Sequence, residues 1–417
     1  MVCNKYVNCF NLLIVTGILK KMGLVTMEIP IEILIILFLA GYFTVGISQI
    51  FTAFRLKKEA QRGRFLKKDF FVSVIIPVKE VSKTLHKDLE STCTQDYSRY
   101  EVIFVAEVVE HGAYRIAKDL AMKYPNVKVL LSGRHDPTKT IAKCHNLIYA
   151  VKHAKGDVLL FGDSDVTYSR DWIMKMVSPL KETIEGKHVE AVTAPFFIEP
   201  QGFLGKFIEL SVSLVTFTAS FTRENHKFPP YASGASIAVT MELFEDLGIV
   251  EIWEKSFNDD LVFADEVINH GHHIYNQLAH LNHPNEVFLG LKQTREKLIR
   301  WVVTISKFGH RKLRAEVPLM LVRNLQFQVT LILGISLYLL GFSGLLALGI
   351  VVAGYIYLVI YRWLMAQIIE EENLGLYYLL APISVTMMML FFLSVRIFYR
   401  SFSWEGKAYV VKERYSR

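Results

Sequence analysis

The sequence predicts an α/β domain with a mostly parallel sheet, inserted between one N-terminal and about three C-terminal transmembrane helices. Three observations carry that expectation. Apolar stretches near both ends are long enough to cross a bilayer, the middle falls to globular hydrophobicity, and there short β-branched runs alternate with helical patterns. Hydrophobic residues make up 52% of the 417, more than a soluble chain of this length needs, and membrane segments account for the excess.

Residues 1–28 are weakly apolar, interrupted by Lys20 and Lys21, and read as a tail. Residues 29–54 carry a single charge, Glu32, over more than the roughly 20 residues a membrane-crossing helix needs. No small-residue cleavage site follows, which argues for an anchor rather than a signal peptide. The linker 55–68 holds seven basic residues in fourteen positions, and the positive-inside rule puts that end in the cytosol.

Residues 69–318 form the globular domain. Strands are expected at Val72–Pro77, Glu101–Ala106, Val127–Leu131, Asp157–Phe161, Val189–Ala194 and Ser236–Val239. Helices are expected at Tyr114–Lys123, Thr140–Ala154 and Trp172–Thr183. In such sheets ligands bind beyond the carboxyl ends of the strands. Within the domain, 203–221 is apolar but holds Lys206 and Glu209, as an amphipathic helix lying in the membrane interface would.

The C-terminal membrane region, 319–398, divides into a hairpin over 326–361, turning near Gly341 to Gly344, and a span at 376–395. A basic tail, 399–417, closes the chain. With the domain in the cytosol, three spans would carry that tail to the far side, although it reads as a cytosolic ending. Either one segment is re-entrant or the number of spans differs from three.

The net charge of +7 suits anionic partners without naming one, and no zinc-finger, homeodomain or RNP signature speaks for nucleic acid. Cys3, Cys9, Cys93 and Cys144 form no C-x-x-C pair, so neither a disulfide framework nor a structural zinc site is expected. His270, His272, His273, His280 and His283 match no zinc-binding spacing.

Two acidic groups stand out. Asp163 and Asp165 follow the buried run DVLLFG directly, and two carboxylates on a turn leaving a strand can both reach a hard cation. Asn258-Asp259-Asp260 opens the helical stretch LVFADEVINHG, where acids commonly act only as caps. Gly234 and Ser236, in YASGASIAV, line a site through backbone approach or form a plain buried turn.

Taken in order, VSVIIPVKEV, DYSRYEV, TIAKCHNL, the D-x-D, the acidic pair and Lys297-Leu-Ile-Arg300-Trp301 form a recognisable set. From about Val72 to Trp301 the chain resembles the inverting family 2 type of glycosyltransferase with a GT-A fold. Within that type it is most similar to ceramide glucosyltransferases, and the tail WEGKAY resembles the W-x-G-x-x-Y ending of related membrane transferases.

The resemblance implies transfer of a sugar, glucose from a UDP-sugar, to the hydroxyl of a membrane lipid such as ceramide, with inversion. It implies Mn²⁺ or Mg²⁺ at Asp163 and Asp165, bridging the donor diphosphate. It places Pro77, Lys79, Glu107, Lys143, Asn146, Asp163 and Arg300 on the donor side, and Gly234, Ser236, Asp259, Lys297 and Trp301 on the acceptor side. Asp260, the second acid of its pair, is the implied general base. The chain departs from the pattern twice. Glu107-Val108 stands where relatives carry an Asp that reads the nucleobase, and Lys297 keeps a cation but loses the two-pronged donor geometry of Gln or Arg.

Three rival readings remain open. A processive polysaccharide synthase would need more helices for its channel. The R-W motif speaks against a polyprenyl-phosphate sugar synthase, and intact acids at 163, 165 and 260 against a dead scaffold.

Overall fold

The computed structural model describes residues 31–62, 65, 68–199, 202–221, 227–284, 290–323, 325–371, 373–399, 401–404 and 407–410. The expected tail 1–28, residues 29–30 of the expected first span, part of the basic linker, and residues 400, 405–406 and 411–417 of the basic tail lie outside them. The chain divides into two units, Met1–Phe51 and Thr52–Arg417. The described part of the first is the opening of helix α1 (Ile31–Arg62), which continues into the second.

The second unit contains β1 (Val72–Pro77), α2 (Leu85–Cys93), β2 (Tyr100–Ala106), α3 (Gly112–Lys123), β3 (Val127–Leu131), α4 (Ala142–Val151), β4 (Val158–Gly162) and α5 (Trp172–Val177). After a small hairpin of β5 (Thr183–Ile184) and β6 (Lys187–His188) come β7 (Ala191–Thr193), α6 (Gly202–Phe221), β8 (Ser236–Thr240), α7 (Met241–Asp246) and α8 (Ile249–Trp253). There follow α9 (Asp260–Asn269), β9 (Ile274–Asn276), α10 (Leu291–Phe308), α11 (Arg311–Arg323), α12 (Gln326–Leu339) and α13 (Gly344–Ile368). A 3₁₀ turn at Gly375–Leu380 leads into α14 (Ala381–Phe398), and β10 (Ser401–Trp404) pairs with β11 (Lys407–Val410).

Seven strands form one sheet in the order β3-β2-β1-β4-β8-β7-β9. The first four run parallel, β8 runs against both its neighbours, and β7 and β9 are parallel. Alternate residues enter opposite cores, as the two-residue strand period requires. Val74, Ile76, Phe104 and Leu160 pack beneath α2, α3 and α5, while Ile75, Val105, Leu159 and Phe161 face α4 and the α7–α10 side. The expected strands are therefore present, within a residue or two at each end.

The expected helix 172–183 stops at Val177. Pro179 cannot donate the amide a continuing helix needs, and residues 183–188 turn instead into the β5–β6 hairpin. Helix α2 and strand β9 lie outside the elements expected from sequence. β9 is three residues of Ile-Tyr-Asn, too short for a period to register.

Among the described residues three helices are long and apolar enough to cross a membrane: Gly202–Phe221, Gly344–Ile368 and Gly375–Phe398. The hairpin expected over 326–361 is present as α12 and α13, turning through Gly341. Over half of α6 is buried in protein, with Leu210 and Leu214 inaccessible.

Candidate active site

Strands β1, β2 and β4 run parallel, so their carboxyl ends bring Pro77, Glu107 and Asp163 to one edge of the sheet. The turn after β4 is tightly held. The Tyr168 hydroxyl accepts from the Asp163 amide at 2.8 Å and donates to the Ala235 carbonyl at 2.7 Å. A Cβ on Gly162 would stand 2.5 Å from that hydroxyl, so glycine is required immediately before the D-x-D. Tyr168 stacks on Trp172, whose indole N–H donates to Ser236 Oγ at 2.7 Å. Ser236 is wholly buried beneath the turn, its hydroxyl committed to that bond.

The two acidic groups meet across Lys143. Its Nζ lies 2.7 Å from Asp163 Oδ1 and 2.9 Å from Asp259 Oδ2. Gly234 lies alongside. A Cβ there would stand 2.7 Å from Lys143 Nζ, 3.2 Å from Asp259 Oδ2 and 3.3 Å from Asp260 Oδ2. The Gly234 amide donates to Asp260 Oδ2 at 2.9 Å. The helix α9 is capped by Asn258, whose Oδ1 accepts from the Leu261 amide at 2.8 Å, while Asp259 makes no side-chain cap bond. Asp259 is thereby available to Lys143.

Charge crowding shifts these groups. Burial, then the neighbouring charge of Asp259, pushes Asp260 up to about 6. Burial, then Asp163, does the same to Asp165, again to about 6. Burial alone would lower Lys143, but Asp163, Asp259 and Asp260 outweigh it and hold the ammonium charged. Lys297 is brought down to about 8, first by burial and then by Arg300 beside it, while Asp165 and Asp163 pull the other way. Lys297 and Arg300 on α10 thus share the electrostatic environment of the D-x-D.

Two flanks complete the site. On one, Glu107 Oε1 meets His135 Nδ1 at 2.6 Å and accepts from the His135 amide at 2.9 Å. Burial would raise Glu107, but the bonds from His135 hold it below the usual carboxylate range, with Lys79 contributing. Asn146, one turn beyond Lys143 on α4, accepts from Ser132 Oγ at 2.6 Å and steadies the loop after β3. On the other flank Trp301 packs against Ile198, Ile208 and Leu298, with Met388 and Phe391 of α14 beside it. Lys297 Nζ stands 5.7 Å from the Trp301 ring centroid, a cation–π distance.

The model for glycosyl transferase family 21 matches residues 34–416 of this sequence, which is most of the chain. The chain belongs to glycosyl transferase family 21. Ceramide glucosyltransferase 1 of Caenorhabditis elegans is 25% identical over 200 residues, 48% of this chain and 42% of that protein. Ceramide glucosyltransferase 3 of the same organism is 24% identical over 234 residues, 55% of this chain and 50% of that protein. The chain thus spans half or less of the length of these two relatives. A solved mannosyltransferase from Pyrobaculum calidifontis, in complex with GDP-Man and Mn²⁺, is 16% identical, with a TM-score of 0.46 over 85% of this chain and 98% of that one.

Within this family 21 chain, His135, Tyr168 and Asn258 escaped sequence reasoning. His135 acts through Glu107, well before it in sequence, and Tyr168 joins nearby Asp163 and Trp172 to distant Ala235; nothing in their local pattern marks either. Asn258 carried a signal, since Asn is among the best helix-capping residues and stands three positions before Leu261. The histidines at 270–283 have separate partners: His270 with Glu266, His272 with Glu190, His273 against Phe228, His280 with Asn282 and His283 against Phe197.

Proposed function

We propose that the protein transfers a hexose, glucose from UDP-glucose, to the hydroxyl of a membrane lipid of the ceramide class, inverting the anomeric carbon. One observation carries the reading: Lys143 joins the D-x-D to the acidic pair, so a donor diphosphate and an acceptor base share one site. The donor lies over the carboxyl ends of β1, β2 and β4, with Glu107, fixed by His135, toward the nucleobase. Pro77, Lys79 and Asn146 border it.

Asp163 and Asp165 suit Mn²⁺ or Mg²⁺, because both are hard oxygen donors and burial, then the charge of Asp163, already raises Asp165. When bound, the ion neutralises the departing diphosphate. Lys297 and Arg300 add positive charge on the same side. Asp260, aimed by the Gly234 amide, takes the acceptor hydroxyl's proton as the oxygen attacks the anomeric carbon. One carboxylate suffices for direct displacement, which leaves the product inverted. Trp301 offers an apolar wall to the lipid between α10, α6 and α14.

The test is a screen of nucleotide sugars with the purified full chain, with and without ceramide and a polyprenyl phosphate. UDP-glucose with ceramide should give a glycolipid of inverted configuration. Transfer only to the polyprenyl phosphate, or to a growing glycan, would replace this reading with one of its rivals.

A further inference from the structure

The last apolar helix reaches the globular domain at both of its ends. At its start, the segment after α13 is fastened by charge: Arg362 makes paired contacts of 2.7 and 2.8 Å to Glu371, both fully buried. Lys57 lies 2.8 Å from Glu370 and also donates to the Ile368 carbonyl. Glu370 in turn borders a cavity of about 160 Å³ with Lys57, Thr167, Ser169, Lys175 and His280, which joins it to the globular domain. At the far end of α14, Phe392, Val395 and Phe402 belong to the same apolar core as Val302, Val303 and Leu313 of α10 and α11. Arg295 of α10 donates to the Tyr399 hydroxyl there. Between the ends, Ser384 bonds to Ser211 of α6 at 3.1 Å, and Met388 and Phe391 border Trp301.

Helix α14 has 18 residues, about 27 Å, after the separate 3₁₀ turn, and standing upright in a bilayer it would carry one end away from the domain. This one stays against it throughout. Its outer face is apolar along its whole length, with Ile383, Met387, Leu390, Leu393 and Ile397 between 46% and 62% exposed. The α12–α13 hairpin differs. Its foot is tied to the platform by Gln328 to the Pro382 carbonyl at 3.2 Å and by Tyr355 to the Leu379 carbonyl at 2.5 Å. Its tip exposes Ile335, Leu339, Leu340 and Leu345. Yet α12 has 14 residues, about 21 Å, against the roughly 30 Å of hydrocarbon a full crossing requires.

We infer that the α12–α13 hairpin enters the bilayer from the catalytic side and returns to it, and that α14 lies along the membrane surface beneath the catalytic domain. The C-terminal tail therefore emerges on the catalytic face. Arg396 then sits on the same side as Arg55, Lys57, Lys58 and Arg62 of the basic linker, as the positive-inside rule asks. The inference rests on the protein being membrane-embedded and is independent of which sugar or lipid it uses.

Single cysteines test it in the full chain carrying Cys3→Ser and Cys9→Ser, since Cys93 and Cys144 are buried. Lys118→Cys reports the catalytic face, Ser416→Cys the tail, and Ser343→Cys the hairpin tip, with Leu345→Cys as a second tip reporter. Sealed vesicles with the catalytic face outward are treated with a membrane-impermeant maleimide before and after permeabilisation. Lys118→Cys and Ser416→Cys should label equally before permeabilisation, and the tip cysteines only after solubilisation in denaturant, with the labelled peptide located by mass spectrometry because Cys93 and Cys144 react there too. Tail labelling only after permeabilisation would overturn the inference, and tip labelling at that stage would show that the hairpin crosses. Recovery of the protein in the soluble fraction would sink the membrane reading itself, whatever its transferase activity.

Discussion

Lys143→Met isolates the contact on which the site depends. The ammonium sits between Asp163 and Asp259, with Asp260 also contributing to its field, so its removal leaves three carboxylates with no cation among them. Breaking a buried pair by deleting one partner costs about 3–5 kcal/mol. The Asp163 side chain is 31% exposed and Asp259 only 10%, so water screens one contact more than the other, placing the loss near the lower end, about 3 kcal/mol. Asp259→Asn alone should cost less, because Lys143 keeps Asp163. In the double variant the surplus charge is smaller, so the two losses should fall short of their sum by roughly 1–2 kcal/mol, the coupling expected of contacting groups. Urea unfolding in detergent, followed by tryptophan fluorescence, measures all three. Strict additivity, or a Lys143→Met protein as stable as the parent, would refute the bridging role.

The pH profile follows from Asp260, raised to about 6 by burial and by Asp259. As a base it works only when ionised, so kcat/KM should fall as pH drops through about 6. Stability moves the other way. The folded value lies above the roughly 3.9 of an unfolded Asp, so this group's contribution grows as pH falls through 6 and is lost as pH rises. Lys297, brought down to about 8, should set an alkaline limb that Lys297→Arg shifts upward. Gly234→Ala puts a methyl 2.7 Å from Lys143 Nζ, and overpacking of this kind costs about 1–3 kcal/mol, read as a lowered unfolding midpoint together with lost turnover. EDTA should abolish transfer and added Mn²⁺ or Mg²⁺ restore it; full turnover in chelator would remove the ion from Asp163 and Asp165.

The sheet was legible because its strands are buried on both faces and read as short β-branched runs with nothing else in the chain like them. The D-x-D was legible because position after such a run is itself information. Lys143 was visible only as a donor-side residue, since its second partner, Asp259, lies more than a hundred positions away and no local pattern links them. In sequence, 203–221 reads as an amphipathic helix in the membrane interface. Leu210 of this helix is inaccessible, because the turn at 375–380 and the start of α14 cover it, and which face is covered depends on elements late in the chain. Ser236, at the start of β8, is wholly buried, with its hydroxyl accepting from the Trp172 indole, a partner that no local pattern discloses.

The central claim is that Asp260 removes the acceptor's proton while donor and ion are held by other residues. Asp260→Asn keeps the shape and the bond from the Gly234 amide but cannot take a proton. The decisive measurement is turnover of Asp260→Asn and Asp259→Asn beside donor affinity by calorimetry. The account predicts that Asp260→Asn loses roughly 10²–10⁴ in kcat with donor binding unchanged, the range for removing general-base assistance. Normal turnover in Asp260→Asn with a dead Asp259→Asn, or loss of donor binding in both, would contradict it.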